Sequence, residues 1–150
     1  VHGIEAGRPP RFDAAAEKGL ISFLTEAAGE GLMLSAHDCA EGGLAMALLE
    51  DALGNGIGAD IDLSDANTNG LPLWKMLFSE SAARAIVEVE PGKAAAVKAL
   101  ARNNGVKAFY IGKTGGSKLA VRMSGSSVEL DLGKAGESYE TALERALAGR

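Results

Sequence analysis

A short apolar run that ends in polar residues and two adjacent glycines is the feature that most constrains the fold of this chain. Residues 32–36 form the run, which lies between a glycine and a polar cluster and is typical of a strand covered on both faces. The chain continues through His37 and Asp38 to Gly42 and Gly43, beyond which apolar residues recur at helical spacing. The segment predicts a strand, a tight loop and a helix, a unit typical of α/β domains.

Helical and strand patterns alternate along the rest of the sequence. Helices are predicted over residues 13–28, 42–53, 72–78, 93–103 and 134–148, and strands over 32–36, 57–63, 83–89, 106–113, 118–123 and 127–132. Asp13 is suited to cap the first helix. Glycines at 115–116 and 125 indicate that the last three strands are antiparallel neighbours joined by turns. Since no segment repeats at a fixed period, we expect helices packed on a mixed sheet.

The charge balance and the small number of cysteines and histidines exclude several classes of function. The net charge is −5 and no cluster of Lys and Arg is present, so nucleic acid is not an expected partner. The single cysteine, Cys39, allows no internal disulfide, and with only His2 and His37 to assist it no metal site is expected. No apolar stretch is long enough to cross a membrane. The sequence therefore predicts a protein of the reducing cytoplasm that does not associate with membranes.

The first residues indicate a chain cut from a longer protein. The sequence has no initiating methionine and opens with a polar stretch that contains Pro9 and Pro10. Such a composition is typical of linkers between domains. We predict that residues 1–12 are a linker from an upstream domain and that residues 13–150 form one domain.

Gly42 and Gly43 are the first candidates for ligand binding. Paired glycines let a ligand approach the main chain, and the free N–H groups of a first helical turn favour phosphate or carboxylate. An equally open interpretation is that the glycines permit tight packing between helix and strand, with Asp38 as a capping residue.

Other reactive side chains have structural explanations. His37, Asp38 and Cys39 suggest a nucleophile with its base, but such groups are normally assembled from distant parts of a fold. Cys39 is expected to be a small buried hydrophobe. Residues 112–114 resemble the end of a phosphate-binding P-loop, but the earlier glycine of that motif is missing. We expect a strand end and a turn there, with Lys113 in solvent.

Two groups of charged residues complete the candidates. Glu80 and Arg84 flank a junction between helix and strand, where they could pair and fix the direction of the chain or could face a neighbouring domain. Asp60, Asp62 and Asp65 could suggest a metal, but alternate positions on the wet face of a strand explain the first two without one.

The chain resembles a known enzyme family in several segments. Residues 35–45 are similar to the His-Asp-x-Ser-Asp-Gly-Gly-Leu-Ala signature of the last domain of phosphoribosylformylglycinamidine synthases of the smaller, multi-subunit type. Residues 77–81 with Arg84, residues 111–113 and Tyr139 resemble later landmarks of that family in the same order. The glycine motif is also shared with sister enzymes such as aminoimidazole ribonucleotide synthase. In this chain the usual Ser-Asp before the glycines is replaced by Ala-Glu at positions 40–41.

The resemblance implies a fold and an activity. The fold would be a three-layer α/β/α domain (α/β, or α+β) with a mixed, largely antiparallel sheet, like the C-terminal domain of aminoimidazole ribonucleotide synthase and partly like a ferredoxin. The parent enzyme would use ATP and Mg²⁺ to convert formylglycinamide ribonucleotide to its amidine. Ammonia would come from a partner glutaminase subunit, with a small bridging subunit in the complex.

The resemblance also limits what this domain would do by itself. The catalytic histidine and the ligands of ATP and Mg²⁺ in the family lie in upstream domains, so no catalytic residue and no bound cofactor is expected in this chain. His37, Asp38, Gly42 and Gly43 are expected to line the face turned toward the neighbouring nucleotide-binding domain. The alternatives are the matching domain of a sister enzyme and a free-standing sensor domain that binds a small effector.

Overall fold

The computed structural model describes residues 9–149 as alternating helices and strands. The helices are α1 (Ala14–Gly29), α2 (Gly43–Asn55), α3 (Leu73–Phe78), α4 (Ala94–Asn103) and α5 (Leu132–Ala148), with a 3₁₀ turn at Pro91–Lys93 before α4. The strands are β1 (Ser35–Asp38), β2 (Ala59–Asp62), β3 (Ala85–Glu88), β4 (Gly112–Thr114), β5 (Lys118–Met123) and β6 (Ser126–Asp131). Residues 1–8 of the predicted linker lie outside the described residues.

Local sequence signals place most of these elements. The Asp13 side chain accepts hydrogen bonds from the backbone N–H groups of Ala15 and Ala16, at 3.0 and 3.1 Å, so α1 begins where its capping residue predicts. Gly56 ends α2 in the left-handed conformation, which is the usual glycine stop of a helix. The strand predicted near residues 57–63 forms as β2, with Ala59 and Ile61 buried and Asp60 exposed.

The strands form two sheets, and three of their four pairings are antiparallel. One sheet contains β1 and β3, and the other has the order β4-β2-β5-β6, with β2 and β5 parallel. The prediction that β4 and β5 are antiparallel neighbours is wrong. The turn between them reaches across β2, since Gly58 exchanges backbone hydrogen bonds with Gly115 and Gly116 at 2.7 and 2.8 Å. The inserted strand therefore separates β4 from β5.

Two strand predictions need correction. The strand predicted at residues 32–36 forms at Ser35–Asp38 instead and is half-exposed, because β1 has only β3 as a neighbour. Leu32 and Met33 pack instead against the cluster between α1 and α4. Of the strand predicted at residues 106–113, only the last two residues belong to β4, and the carbonyl oxygen of Ile111 accepts one further bond from the N–H of Asp62 at 2.6 Å. Val106, at the start of the predicted strand, packs instead against the cluster between α1 and α4.

Helices cover both faces of the sheet formed by β1 and β3. Ile86 packs against the larger core cluster, which contains the buried face of α2 together with residues of β2 and β5. The next residue, Val87, packs against Phe23 of α1 and Val97 of α4 in the smaller cluster. Because successive strand residues point to opposite faces, this alternation creates the expected α/β/α arrangement. The outer face of the four-stranded sheet is charged and exposed, where Arg122 bonds to acidic residues of β2.

An apolar groove runs between α3 and strands β5 and β6. Its lining residues are Ala45, Leu48, Leu73, Trp74, Leu77, Phe78, Leu119, Val121, Val128 and Leu130. Trp74 and Phe78 are each 61% exposed, and Lys75 Nζ lies 5.3 Å from the centre of the Trp74 ring. Within residues 9–149, no helix is both long enough and apolar enough to span a membrane.

Candidate functional site

The loop before α2 is closed by polar contacts at its two glycines. Gly42 and Gly43 both have left-handed backbones, with φ of +72° and +64°. The N–H of Gly42 donates to Glu80 Oε1 at 2.9 Å. The N–H of Gly43 donates to the carbonyl oxygen of Ala40 at 3.2 Å. Two of the N–H groups at this helix start are therefore already bonded within the domain, one of them to a carboxylate.

Gly43 also allows two main-chain segments to approach each other closely. A Cβ atom at this position would lie 2.6 Å from the carbonyl oxygen of Ser79 and 2.8 Å from that of Leu77. Real Cβ atoms do not approach backbone atoms this closely, so a side chain would push α2 away from the end of α3. Of the two interpretations of the glycine pair, tight packing thus has direct geometric support in this structure.

Glu80 and Arg84 act separately and do not pair with each other. The Glu80 carboxylate accepts the bond from the N–H of Gly42. The Arg84 guanidinium instead donates to two carbonyl oxygens of the same loop. Its Nη2 bonds to Ser79, and its Nε bonds to Ser81 at 3.2 Å. Their shared effect is to fix the loop between α3 and β3 against the start of α2. This agrees with a structural role for both residues.

His37 points away from the glycine pair. Its Nδ1 lies 2.7 Å from the carbonyl oxygen of Asp38, and its Nε2 lies 3.2 Å from Glu50 Oε2. Glu50 is in the last turns of α2, about 12 Å along the helix from Gly42 at 1.5 Å per residue. The Asp38 side chain is 75% exposed. The structure therefore brings Gly42 and Glu80 together and leaves His37 and Asp38 outside that contact.

Glu50 is the residue that the sequence analysis missed. Its Oε1 accepts a hydrogen bond from the Tyr139 hydroxyl at 2.6 Å, and this bond is the main cause of the raised pKa of Tyr139. The two residues are 89 positions apart. No local pattern marks Glu50, since a glutamate in a helix is ordinary and only the tertiary fold places it between His37 and Tyr139.

Cys39 is buried, as predicted. It is 4% exposed, and burial is the largest cause of its raised pKa; the nearby Arg84 charge lowers that pKa and Asp38 raises it. Both nitrogens of the neighbouring His37 face other groups. A buried thiol with a raised pKa is the opposite of the exposed, low-pKa cysteine that nucleophilic chemistry requires.

We expect the Cys39 thiol to react with iodoacetamide at least tenfold more slowly in the folded chain than in urea. The thiolate is the reactive form, and a raised pKa lowers its fraction at pH 8 while burial blocks access. Mass spectrometry of timed samples measures the rate. Equal rates in the folded and unfolded chain would contradict the buried placement of Cys39.

The acidic residues of β2 form ion pairs with an arginine side chain of β5. Arg122 bonds to both Asp60 and Asp62, and the pKa of Asp62 is lowered mainly by its hydrogen bond with Ser64. No group of three or more metal-binding side chains occurs among residues 9–149. Lys113, in the segment similar to a P-loop end, lies exposed in β4 as expected.

The fold and the loop define a class of protein. It is an α/β/α domain with largely antiparallel strand pairing, in which a helix begins at two glycines whose N–H groups are hydrogen-bonded within the domain. Over residues 1–124 the chain matches the family described as AIR synthase related protein, C-terminal domain. The match covers most of the chain, and the chain belongs to this family.

Curated relatives carry the name phosphoribosylformylglycinamidine synthase subunit PurL. The protein of Moorella thermoacetica is 42% identical over 144 residues, which are 95% of this chain and 19% of that protein. The protein of Methanocaldococcus jannaschii is 36% identical over 147 residues, 97% of this chain and 19% of that protein. The chain thus spans about a fifth of the length of these relatives.

Solved structures of PurL share the fold. The complex of Thermotoga maritima PurL with FGAR has a TM-score of 0.78 at 26% identity, over 87% of this chain and 23% of that one. The ATP complex has a TM-score of 0.73 at 28% identity, over 81% of this chain and 22% of that one. The predicted fold class and family are confirmed.

Proposed function

We propose that this chain is the C-terminal domain of the large subunit of a phosphoribosylformylglycinamidine synthase. The observation that carries the proposal is the 42% identity to the PurL subunit of Moorella thermoacetica over 95% of the chain. The likeness of the backbone to that of the FGAR complex of Thermotoga maritima PurL also supports it.

The proposed parent enzyme converts formylglycinamide ribonucleotide and ammonia to formylglycinamidine ribonucleotide at the expense of ATP. Structures of Thermotoga maritima PurL with ATP and ADP support the use of this nucleotide. The PurLQS structure from the same organism supports a complex with further subunits, which we propose to be a glutaminase and a small bridging subunit. Mg²⁺ would neutralise the phosphates during transfer of the phosphoryl group.

Residues 9–149, which the structure describes, do not have the arrangement that a nucleotide site requires. Phosphoryl transfer requires cations and hydrogen-bond donors directed at the phosphates, but Gly42 donates to Glu80 and the exposed Lys113 lies on a sheet edge. The part of the chain that the structure describes also offers no cluster of metal ligands. We therefore place ATP and Mg²⁺ in the upstream part of the parent.

The contribution of this domain would be a rigid face beside the nucleotide-binding domain. We propose that the segment containing His37, Asp38, Gly42 and Gly43 lies on that face, with Glu80 and Arg84 fixing its shape. The exposed Asp38 carboxylate is the group of this set with the most surface available to another domain. We further propose that residues 1–12 connect the domain to the preceding one, since the first helix begins directly after Asp13.

The test compares the parent protein with the isolated chain. The parent is expected to form the amidine from formylglycinamide ribonucleotide, ATP and ammonia, whereas the 150-residue chain should show neither amidine formation nor ATP hydrolysis above a buffer blank. Chromatography of the product and release of phosphate measure the two activities.

Two outcomes would contradict the proposal. A parent that instead closes the imidazole ring of formylglycinamidine ribonucleotide would be an aminoimidazole ribonucleotide synthase. Micromolar binding of a nucleotide or ribonucleotide by the isolated chain in calorimetry would favour a sensor domain.

A further inference from the structure

Three Asn-Gly pairs occur in the sequence, and each contains the groups for the same spontaneous reaction. The pairs are Asn55-Gly56, Asn69-Gly70 and Asn104-Gly105. In such a pair the backbone nitrogen of the glycine can attack the side-chain carbonyl carbon of the asparagine, because glycine has no side chain to block the approach. Asparagine is for this reason among the thermolabile residues of proteins. Since all three pairs have the same two residues, the structure determines which of them reacts in the folded chain.

The reaction takes place in two steps and needs only water. In the first step the glycine N–H loses its proton, its nitrogen bonds to the asparagine Cγ, and the side-chain nitrogen takes up that proton and leaves as ammonia. In the second step water opens the resulting five-membered succinimide ring at either carbonyl carbon, which leaves aspartate or isoaspartate. A glycine N–H that already donates a hydrogen bond must give up that bond first. A reactive pair therefore has a free glycine N–H and an asparagine amide that can turn toward it.

At Asn104-Gly105 both reacting groups are held by hydrogen bonds. Asn104 Nδ2 donates to Glu26 Oε2 and to the carbonyl oxygen of Leu100, each at 3.2 Å. The N–H of Gly105 donates to the carbonyl oxygen of Arg102 at 3.1 Å. The reaction at this pair would therefore require the end of α4 to open.

At Asn55-Gly56 the end of α2 holds the pair. Asn55 is the last residue of the helix, and its Nδ2 donates to the carbonyl oxygen of Asp51 at 3.4 Å. The N–H of Gly56 donates back to the carbonyl oxygens of Ala52 and Leu53, at 3.2 Å in the second bond. The attacking nitrogen is thus part of the hydrogen-bonding pattern that ends α2.

Asn69-Gly70 lies in the loop between β2 and α3 and is the least restrained of the three pairs. Both residues are exposed, and among residues 9–149 no hydrogen bond to the Asn69 side chain occurs. The nitrogen of Gly70 lies 3.5 Å from the carbonyl oxygen of Asn67, which is beyond the usual range of an N–H···O bond. The loop is closed instead by the Asn67 amide, which bonds to both backbone groups of Leu71 at 2.8 Å. Both reacting groups of Asn69-Gly70 are therefore available without the opening of a helix.

We propose that Asn69 is the site at which the folded chain deamidates spontaneously, with the backbone nitrogen of Gly70 as the attacking group. Either product adds one negative charge to the loop, and isoaspartate also lengthens the main chain by one carbon atom. The modified residue lies three positions before Pro72, which directly precedes α3. The inference concerns this chain alone and does not depend on the proposed function.

The test measures the masses of peptides from the folded chain after incubation at pH 8 and 37 °C. Cleavage at acidic residues separates the three pairs, because Asp60, Asp62 and Asp65 lie between the first two pairs and Glu88 and Glu90 between the last two. The peptide with Asn69 is expected to change from amide to acid roughly threefold to tenfold faster than the other two, as for reactions that need not first break a hydrogen bond of ordinary strength.

The chain unfolded in urea is the control for the effect of neighbouring residues. The three pairs should react there at similar rates, because the hydrogen bonds of Asn55-Gly56 and Asn104-Gly105 are lost. Deamidation of either of these pairs as fast as that of Asn69 in the folded chain would overturn the proposal. A preference for Asn69 that is equally large in urea would also overturn it, since the preference would then come from the sequence and not from the fold.

Two matched variants provide a second measurement. Asn69→Gln should remove most of the ammonia released by the folded chain, because the longer side chain would have to close a six-membered ring, which forms more slowly. Asn104→Gln, the same change at a half-buried pair, should leave ammonia release unchanged. Equal ammonia release by Asn69→Gln and the unmodified chain would contradict the assignment. Failure of the activity test on the parent would not affect these results.

Discussion

Replacement of Gly43 by alanine is expected to lower the free energy of unfolding by about 3 kcal/mol, the sum of overpacking and of a left-handed backbone with a side chain. The new methyl group would lie 2.6 Å from the carbonyl oxygen of Ser79, and that oxygen is backbone and cannot rotate away. Either α2 must shift or the end of α3 must move. Urea unfolding followed by circular dichroism measures the loss.

Gly54→Ala is the matched control for this variant. Gly54 belongs to the same helix, its φ is not positive and nothing lies within 4 Å of the position of its Cβ atom. Alanine there should stabilise the chain by roughly 0.5 to 1 kcal/mol through its helix propensity. Equal stability of Gly43→Ala and the unmodified chain would contradict the close approach of α2 and α3. Gly43→Asp should be at least as destabilising as alanine.

Gly112→Ala is expected to destabilise the chain by about 2 kcal/mol, within the range for overpacked sites. A Cβ atom on Gly112 would overlap the carbonyl oxygen of Asp60 on the paired strand β2. Strand β4 is only three residues long, so the pairing has little capacity to adjust. The variant should therefore lose the pairing of β4 with β2, which amide hydrogen exchange of residues 112–114 reports directly.

Gly115→Ala provides a control with almost the same backbone. The φ angles of Gly112 and Gly115 are +157° and +151°, but nothing lies within 4 Å of a Cβ atom on Gly115. Any loss of stability caused by alanine in this backbone conformation should appear in both variants. Only the contact with the carbonyl oxygen of Asp60 distinguishes Gly112→Ala from Gly115→Ala. If both variants lose the same stability, the crowding at Gly112 is not the cause. The result also tests whether the segment similar to a P-loop owes its glycine to strand pairing.

The sequence predicted the elements whose signals are local. Asp13 caps α1 through its own side chain, and β2 alternates buried and exposed residues at the spacing of a pleated strand. Such signals depend on residues a few positions apart, which a single sequence displays. The family resemblance in residues 35–45 added the arrangement of layers, which the local signals alone do not determine.

The errors concern contacts between distant parts of the chain. Glycines at 115 and 116 indicated a turn between neighbouring strands, but the turn spans β2, whose residues lie more than 50 positions earlier. The strand predicted at residues 32–36 was placed too early because Leu32 and Met33 are apolar for another reason, namely contact with α1 and α4. Hydrophobicity indicates burial, but it does not identify the partner.

In the candidate site, too, the local features could be predicted from the sequence and the long-range contacts could not. Gly42 and Gly43 were recognisable as special backbone positions, since glycine adopts left-handed angles without strain. That Glu80 would occupy the N–H of Gly42 could not be predicted, because the two residues are 38 positions apart and many carboxylates could have served. Glu50 was missed for the same reason.

The exposed position of Trp74 determines what optical measurements on this domain can report. It is the only tryptophan of the chain and is 61% exposed in the folded state. Its fluorescence maximum should therefore lie near that of free indole in water and change little on unfolding. A shift to shorter wavelength would instead signal that another surface has covered the groove beside α3. The native sequence thus contains an intrinsic reporter of association.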